Sequence, residues 1–230
     1  MAGDKRKQTV CRRCGTCCLK GGPALHTEDL PLLTGKIITP RHLYTVRTGE
    51  IVRNIDDRLM PLEQEIVKIK GDGEETWACT FYDSNKQACR IYAHRPVECR
   101  ALQCWDPGPL RRAMALPYIH RSMLLGREDE LFKVLIAHEQ RCAYPIMEKA
   151  VRALEGRTAH QAVEHILDIL HYDHVVRTVV PKRLTLDPDT VDFFFGRPMR
   201  KTLRMYGLTV RQEGDNFRLV SWPIDNGTQV

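Results

Sequence analysis

The 230-residue sequence predicts an α+β fold: an irregular, cysteine-rich N-terminal half with a small antiparallel sheet, then a helical C-terminal half with a terminal hairpin. Three observations predict it. Eight of the nine cysteines precede residue 105, four of them within Cys11-Arg12-Arg13-Cys14-Gly15-Thr16-Cys17-Cys18. Between residues 50 and 92, short β-prone runs alternate with Asp, Gly and Asn turns. Beyond Pro96, apolar residues recur at helical spacing.

Taken in order, residues 1–10 read as a flexible basic arm, and Lys20-Gly21-Gly22-Pro23 as a turn. Thr27, followed by Glu28 and Asp29, has the form of a helix N-cap with first-turn acids, and Gly35 that of its stop. Thr39-Pro40 repeats the start signal for a second short helix ending near Gly49. Candidate strands are Glu50–Ile55, Glu65–Lys70, Thr76–Tyr82 and Gln87–Tyr92. Pro96 suits a first helical position, with the helix reaching about Gln103 before Asp106-Pro107-Gly108-Pro109 breaks it. Helical patterns follow over 127–141, 145–155 and 158–177. The last has Thr158 as N-cap and Val163, Ile166, Leu167 and Leu170 on one face. Pro181 and Asp187-Pro188 punctuate the tail. A short helix over Pro198–Tyr206 leads into a hairpin of Leu208–Arg211 and Phe217–Trp222. The composition shift near 106–109 divides the chain into residues 1–106, a cysteine-cluster metal-binding domain, and residues 107–230, mainly helical and expected to pack on the first.

Apolar content of 43% and charged content of 28% are those of an ordinary globular protein. No apolar run approaches the ~20 residues that a membrane-spanning helix needs. The N-terminal residues show no apolar signal-peptide core, and a cytoplasmic location is expected. A reducing compartment favours metal binding over disulfides, and nine is an odd number for pairing. The net charge of +6 leaves out thiolate formation. Arginines beside the cysteines, namely Arg12, Arg13, Arg90, Arg95 and Arg100, read as counter-charges to thiolates rather than a phosphate track. A nucleic-acid partner is therefore not implied, and the open partner class is a protein, including a redox protein.

Cys11, Cys14, Cys17, Cys18, Cys79, Cys89, Cys99, Cys104 and Cys142 are the candidate metal ligands. A two-residue spacing lets both thiols of C-x-x-C reach one ion around a turn. Adjacent Cys17 and Cys18 should diverge by about 100° in a helix, or to opposite faces of a strand. They are therefore expected on different centres or on opposite sides of one multinuclear cluster. A hairpin centred on Ser84 would set Cys79 opposite Cys89, with Cβ atoms about 5 Å apart. Eight thiolates make two four-thiolate sites, leaving one cysteine spare. Cys104 and Cys142 compete for the eighth place.

The combined pattern, Cys11-x-x-Cys14-Gly15-x-Cys17-Cys18, Cys79-Thr80-Phe81-Tyr82-Asp83 and Cys89-Arg90-Ile91-Tyr92-x-x-Arg95-Pro96-x-x-Cys99-Arg100, resembles the bacterial CxxCxxCC (YkgJ-type) cysteine-cluster family. That family is described as zinc- or iron-chelating, and some of its members are labelled iron–sulfur oxidoreductases. Bacterial flagellin lysine methylases carry a similar pattern. The resemblance covers roughly residues 11–104 and implies ligand roles for Cys11, Cys14, Cys17, Cys18, Cys79, Cys89 and Cys99. It fixes neither the metal nor the reaction; an iron–sulfur cluster, 4Fe–4S before other types, is expected, with Zn2+ as the alternative. All-thiolate coordination suits both. Three functional classes follow: an iron–sulfur protein in electron transfer or a modification reaction, a zinc-stabilised interaction module, and a metal-sequestering or metal-delivery protein.

Weaker patterns have plain readings. Glu164, Asp168, His171 and His174 fit the solvated face of an amphipathic helix. Arg197, Arg200, Lys201 and Arg204 fit an ordinary charged surface. Trp77, Trp105 and Phe193-Phe194-Phe195 are expected in the core. There is no P-loop and no G-x-G-x-x-G.

Overall fold

The computed structural model describes residues 11, 13–53, 57–73 and 77–221. The expected basic arm, Arg12, Thr76 and Trp222 lie outside these residues. The strands are β1 (Leu43–Val46), β2 (Ile51–Arg53), β3 (Leu59–Pro61), β4 (Ile66–Ile69), β5 (Tyr82–Asp83), β6 (Ala88–Cys89), β7 (Leu208–Glu213) and β8 (Asn216–Ser221). The helices are α1 (Leu30–Thr34), α2 (Val97–Ala101), α3 (Gly108–Met114), α4 (Glu130–Arg141), α5 (Tyr144–Arg152), α6 (Ala159–Arg183), α7 (Val191–Phe195) and α8 (Met199–Thr202). The fold is α+β, with short strand pairs in the first half and helices followed by a hairpin in the second.

Two compact units divide the chain. One comprises Met1–Leu43 and Ile66–Ile119, the other Tyr44–Glu65 and His120–Val230. In the first, Leu25, Ile38, Leu43, Val67, Ile69 and Ile119 are essentially buried. Backbone bonds from Leu25 N–H to the Val67 carbonyl (2.8 Å) and from Ile69 N–H to the Pro23 carbonyl (3.0 Å) tie its two sequence segments together.

The second unit has an apolar core of Tyr144, Met147, Ala150, Ile166, Ile169, Leu170, Met199 and Leu203, with Leu208, Val210, Phe217 and Leu219 of the hairpin packed against it. Its segment Tyr44–Glu65 is held by buried charge as well as by apolar contact. Arg47, with no exposed surface, donates to the Cys142 carbonyl at 2.9 Å and pairs with Glu139 at 3.4 Å. Arg121 bridges Glu65 (2.6 Å) and Glu139 (2.9 Å), and buried Glu50 pairs with Arg197. Gly196 has φ +72, and a Cβ there would stand 2.7 Å from the Arg47 side chain. Only glycine leaves room for the Arg47 methylenes there.

Several elements follow the sequence reading. A 3₁₀ turn at Thr27–Asp29 runs into α1, which stops at Gly35. The hairpin of β7 and β8 pairs Glu213 with Asn216 at its tip. Phe193, Phe194 and Phe195 are buried.

Other expectations need correction. The helix expected from Thr39-Pro40 is a single 3₁₀ turn, Pro40–His42, followed by β1. The Leu43-Tyr44-Thr45-Val46 run is aromatic and β-branched, which favours extended backbone. Asp106-Pro107-Gly108-Pro109 starts α3 instead of only ending α2. The Asp106 carboxylate accepts the Gly108 N–H at 2.9 Å, and prolines fit a first turn whose N–H groups have no helical acceptor. Pro181 lies inside α6, which continues to Arg183, because one missing N–H near a helix end removes one bond. Trp77 is 70% exposed, not core.

Candidate metal centre

The Cys11–Cys18 segment is irregular up to a 3₁₀ turn at Cys18–Lys20. Gly15 has φ +76, and a Cβ at this position would stand 2.4 Å from the Tyr82 hydroxyl. The missing side chain therefore lets the cysteine loop lie against Tyr82, which pairs with Cys89 across β5 and β6. Close by, the Cys18 carbonyl accepts the Cys79 N–H at 2.7 Å. The loop is thus held to the Cys79 turn by a backbone bond and against the hairpin by the Gly15–Tyr82 approach.

The hairpin register differs from the expected one. Tyr82 faces Cys89 and Asp83 faces Ala88, so the turn is Ser84–Gln87 and not centred on Ser84. The Asp83 carboxylate accepts the Asn85 and Lys86 N–H groups, and Gln87 adopts φ +48, which lengthens the loop. Cys79 therefore precedes the ladder, in a bridge to Gly71.

Cys17 and Cys18 are corrected as well. Their sulfurs lie 4.0 Å apart, on one side of the chain. The hydrogen bond from Cys18 holds the Cys17 thiol below its ordinary range, and Cys18 keeps the proton. The Thr16 hydroxyl lowers Cys14 in the same way.

Six thiols, those of Cys14, Cys17, Cys18, Cys79, Cys89 and Cys99, share one electrostatic neighbourhood. Cys99 is pushed up by burial and then by the charges of Cys79, Cys17 and Cys89. Burial also raises Cys79, with Cys89 and Cys17 adding to it. Cys18 feels Cys17, Cys79 and Cys89. Such mutual repulsion is relieved when a cation sits among the sulfurs. Arg95 and Arg90 already act in that sense on Cys17 and Cys79. The guanidiniums of Arg13 and Arg95 both lie over the Tyr92 ring, at 4.2 and 3.8 Å.

Three residues that the sequence reading passed over hold Cys99 in place. α2 is anchored at its start by Asp29, whose carboxylate accepts the Val97 N–H at 2.9 Å and the His26 N–H at 3.1 Å. Glu98, next to Cys99, accepts the Ala24 N–H at 2.9 Å and bonds the His26 ring at 3.1 Å. The other His26 ring nitrogen meets the Leu116 carbonyl at 3.0 Å. His26 and Asp29 have no exposed surface. Their partners are about 70 residues away in sequence, so local pattern carried no signal for them.

The remaining cysteines stand apart. Cys11 is exposed, and its sulfur accepts the Arg13 N–H at 3.4 Å. Cys104 is exposed in the turn where Gln103 bridges Asp106. Cys142 belongs to the second unit and is fully buried, its thiol 3.9 Å from the Ile169 carbonyl. Burial pushes it up to about 12. Its donor atom lies within 4.8 Å of those of His138 and Asp173, a trio of ligand-type groups. These groups are already engaged. Asp173 bonds His138 (2.8 Å), the Arg177 guanidinium (2.9 Å) and the Met199 N–H (2.9 Å), and Arg47 meets the other His138 nitrogen at 3.4 Å. Arg47 and Arg177 supply the positive charge that a metal ion would bring.

The helix-face acids and histidines of α6 pair separately: Glu164 with His160, Asp168 with Arg141, and His174 with Asp215. Arg200, Lys201 and Arg204 are exposed, whereas Arg197 reaches buried Glu50.

Residues 10–111 match the model of the CxxCxxCC family, described as "Putative zinc- or iron-chelating domain". The match is confined to this cysteine-rich segment. It contains eight of the nine cysteines and ends before Cys142. No curated protein and no solved structure matches the chain. Among the described residues, no helix is long and apolar enough to cross a membrane.

Proposed function

We propose that this chain is an iron–sulfur protein whose CxxCxxCC-type segment, residues 10–111, uses Cys11, Cys14, Cys17, Cys18, Cys79, Cys89, Cys99 and Cys104 as thiolate ligands. The observation that carries the reading is the meeting of separated cysteine segments: the Cys17 and Cys18 sulfurs lie 4.0 Å apart, the Cys18 carbonyl accepts the Cys79 N–H at 2.7 Å, and Gly15 lies against Tyr82, the strand partner of Cys89. With Cys14 and Cys99, the thiols of these segments exceed the four that one tetrahedral ion takes, which favours a multinuclear centre or two adjoining ones. The donor set fits: thiolates alone suit iron–sulfur clusters. Such a cluster supplies one-electron redox chemistry when bound. The protein contributes buried Cys79, half-buried Cys99 and the cations Arg90 and Arg95 beside the sulfurs. Cys142 is the ninth, structural cysteine.

A second reading, zinc in a folding role, has its own support. Zn–S bonds of about 2.3 Å put the edge of a tetrahedron near 3.8 Å, close to the 4.0 Å between the Cys17 and Cys18 sulfurs. Anaerobic purification followed by iron, sulfide and zinc analysis tests the choice. The iron–sulfur reading expects a brown protein with broad absorbance at about 400 nm and reversible reduction. A colourless protein with stoichiometric zinc overturns it.

A further inference from the structure

The register of β7 and β8 sets Arg211 directly opposite Arg218. Val210, Phe217 and Leu219 of this hairpin pack on the core of the second unit. Alternation therefore turns Arg211 and Arg218 to the other face, where both are exposed. Side chains paired in this way have Cβ atoms about 5 Å apart, and like charges there weaken a hairpin. Among the described residues, no carboxylate pairs with either arginine. Of the two acids at the tip, Asp215 is taken by His174 at 3.2 Å and Glu213 faces Asn216. Residues 199–221 carry five basic and two acidic side chains, so the positive charge here is not balanced locally. Arg200 and Arg204 add to it, exposed on α8 and on the 3₁₀ turn that leads into β7. A local rule broken at the cost of stability is the mark of a functional surface.

We infer that the outer face of the β7–β8 hairpin binds the phosphate backbone of duplex nucleic acid, with Arg211 and Arg218 closing on one phosphate and no preference for base sequence. A phosphate offers several acceptor oxygens and matches the guanidinium fork, so it turns the repulsion within the pair into attraction. A two-stranded ribbon is also one of the shapes that a duplex groove admits. The other outward positions, Thr209, Glu213, Asn216 and Val220, supply no aromatic ring on which unpaired bases could stack, and Phe217 is turned to the core. That favours a duplex over a single strand. These arginines are distinct from those beside the cysteines, so the binding is independent of the metal centre.

Fluorescence anisotropy of a labelled DNA duplex, titrated with the full chain, provides the test. For phosphate contacts of this kind the dissociation constant should be about 10 µM or tighter at ~50 mM salt, weakening steeply as salt rises. The double variant R211Q/R218Q should bind at least about tenfold more weakly, and its slope of log affinity against log salt should be shallower by about 2. K133Q/R157Q removes the same charge from exposed positions outside the hairpin and should bind like the parent chain. Arg211→Glu separates binding from folding. It sets opposite charges across the ladder, so its thermal midpoint should hold or rise while its affinity falls. No binding by the parent chain, an equal loss in both double variants, or full affinity in R211Q/R218Q overturns the inference. Tighter binding of the matching single strand overturns the duplex assignment. Equal binding of polyglutamate shows recognition of negative charge of any kind and overturns the nucleic-acid assignment.

Discussion

Cysteine occupies two contrasting settings in this molecule. In the first unit, thiols gather with one another, several are exposed or half-exposed, and arginines stand near the sulfurs. In the second, Cys142 is a lone buried thiol among ion pairs that already balance, Asp173 with Arg177 and Glu139 with Arg47 and Arg121. In the first group, sulfurs that push one another's pKa up would ionise together only with a cation among them. In the second, the carboxylates already have their cations. Residue type alone therefore does not make a ligand; the surroundings of the thiol matter as much.

The contrast can be tested from its largest expected effect downward. Asp173→Ala strips partners from His138, Arg177 and the Met199 N–H at once, and unpairing a buried network of this kind costs about 3–5 kcal/mol. Urea denaturation measures it. Metal content per folded molecule should stay unchanged, and a fall in metal content would place Asp173 in the centre.

Gly15→Ala has the opposite signature. A Cβ at φ +76 meeting the Tyr82 ring costs about 1–3 kcal/mol locally. It displaces the cysteine loop, so metal stoichiometry should fall while the second unit keeps its near-ultraviolet spectrum. Full metal content in the variant counts against the role of Tyr82 in seating the loop.

Cys142→Ser places a hydroxyl in a fully buried site and should cost about 1–2 kcal/mol with no loss of metal. Cys104→Ser should leave stability almost unchanged and lower the metal content. If both variants retain full metal, the count of eight thiolates is wrong.

Acid should weaken the second unit in two stages. Burial holds His138 below its ordinary range, partly offset by its bond to Asp173. The unfolded chain therefore takes up that proton first, and stability starts to fall as pH drops below about 6.5. Burial would raise Asp173, yet Arg177 and His138 outweigh it and hold the carboxyl well below the carboxylate range. Its contribution is present above about pH 4 and is lost as pH falls through the folded value. Urea midpoints between pH 7.5 and 3 should follow this course, and a midpoint flat over that range would contradict it. The smallest effect belongs to Asp168→Asn on the exposed Arg141 pair, about 0.5 kcal/mol or less.

What could be read ahead of the structure was local. The Thr27–Gly35 helix, α6 with Ile166 and Leu170 inward, and the β7–β8 hairpin each announce themselves within a few residues. Cysteine spacing identified the domain for the same reason, since C-x-x-C acts over one turn. The Cys79–Cys89 facing failed because a side chain, Asp83, and a positive φ at Gln87 set the loop length, and symmetry about Ser84 did not. The divergence of Cys17 and Cys18 failed because ideal helix and strand geometry does not describe an irregular loop entering a 3₁₀ turn.

By itself, then, the sequence determined the class of chemistry, many thiolates in one domain, and the α+β character around it. Tertiary structure decided which thiols meet, that His26, Asp29 and Glu98 brace Cys99, and that Cys142 belongs elsewhere. Those outcomes depend on contacts across tens of residues, where chain connectivity no longer constrains position and only packing and paired charge do.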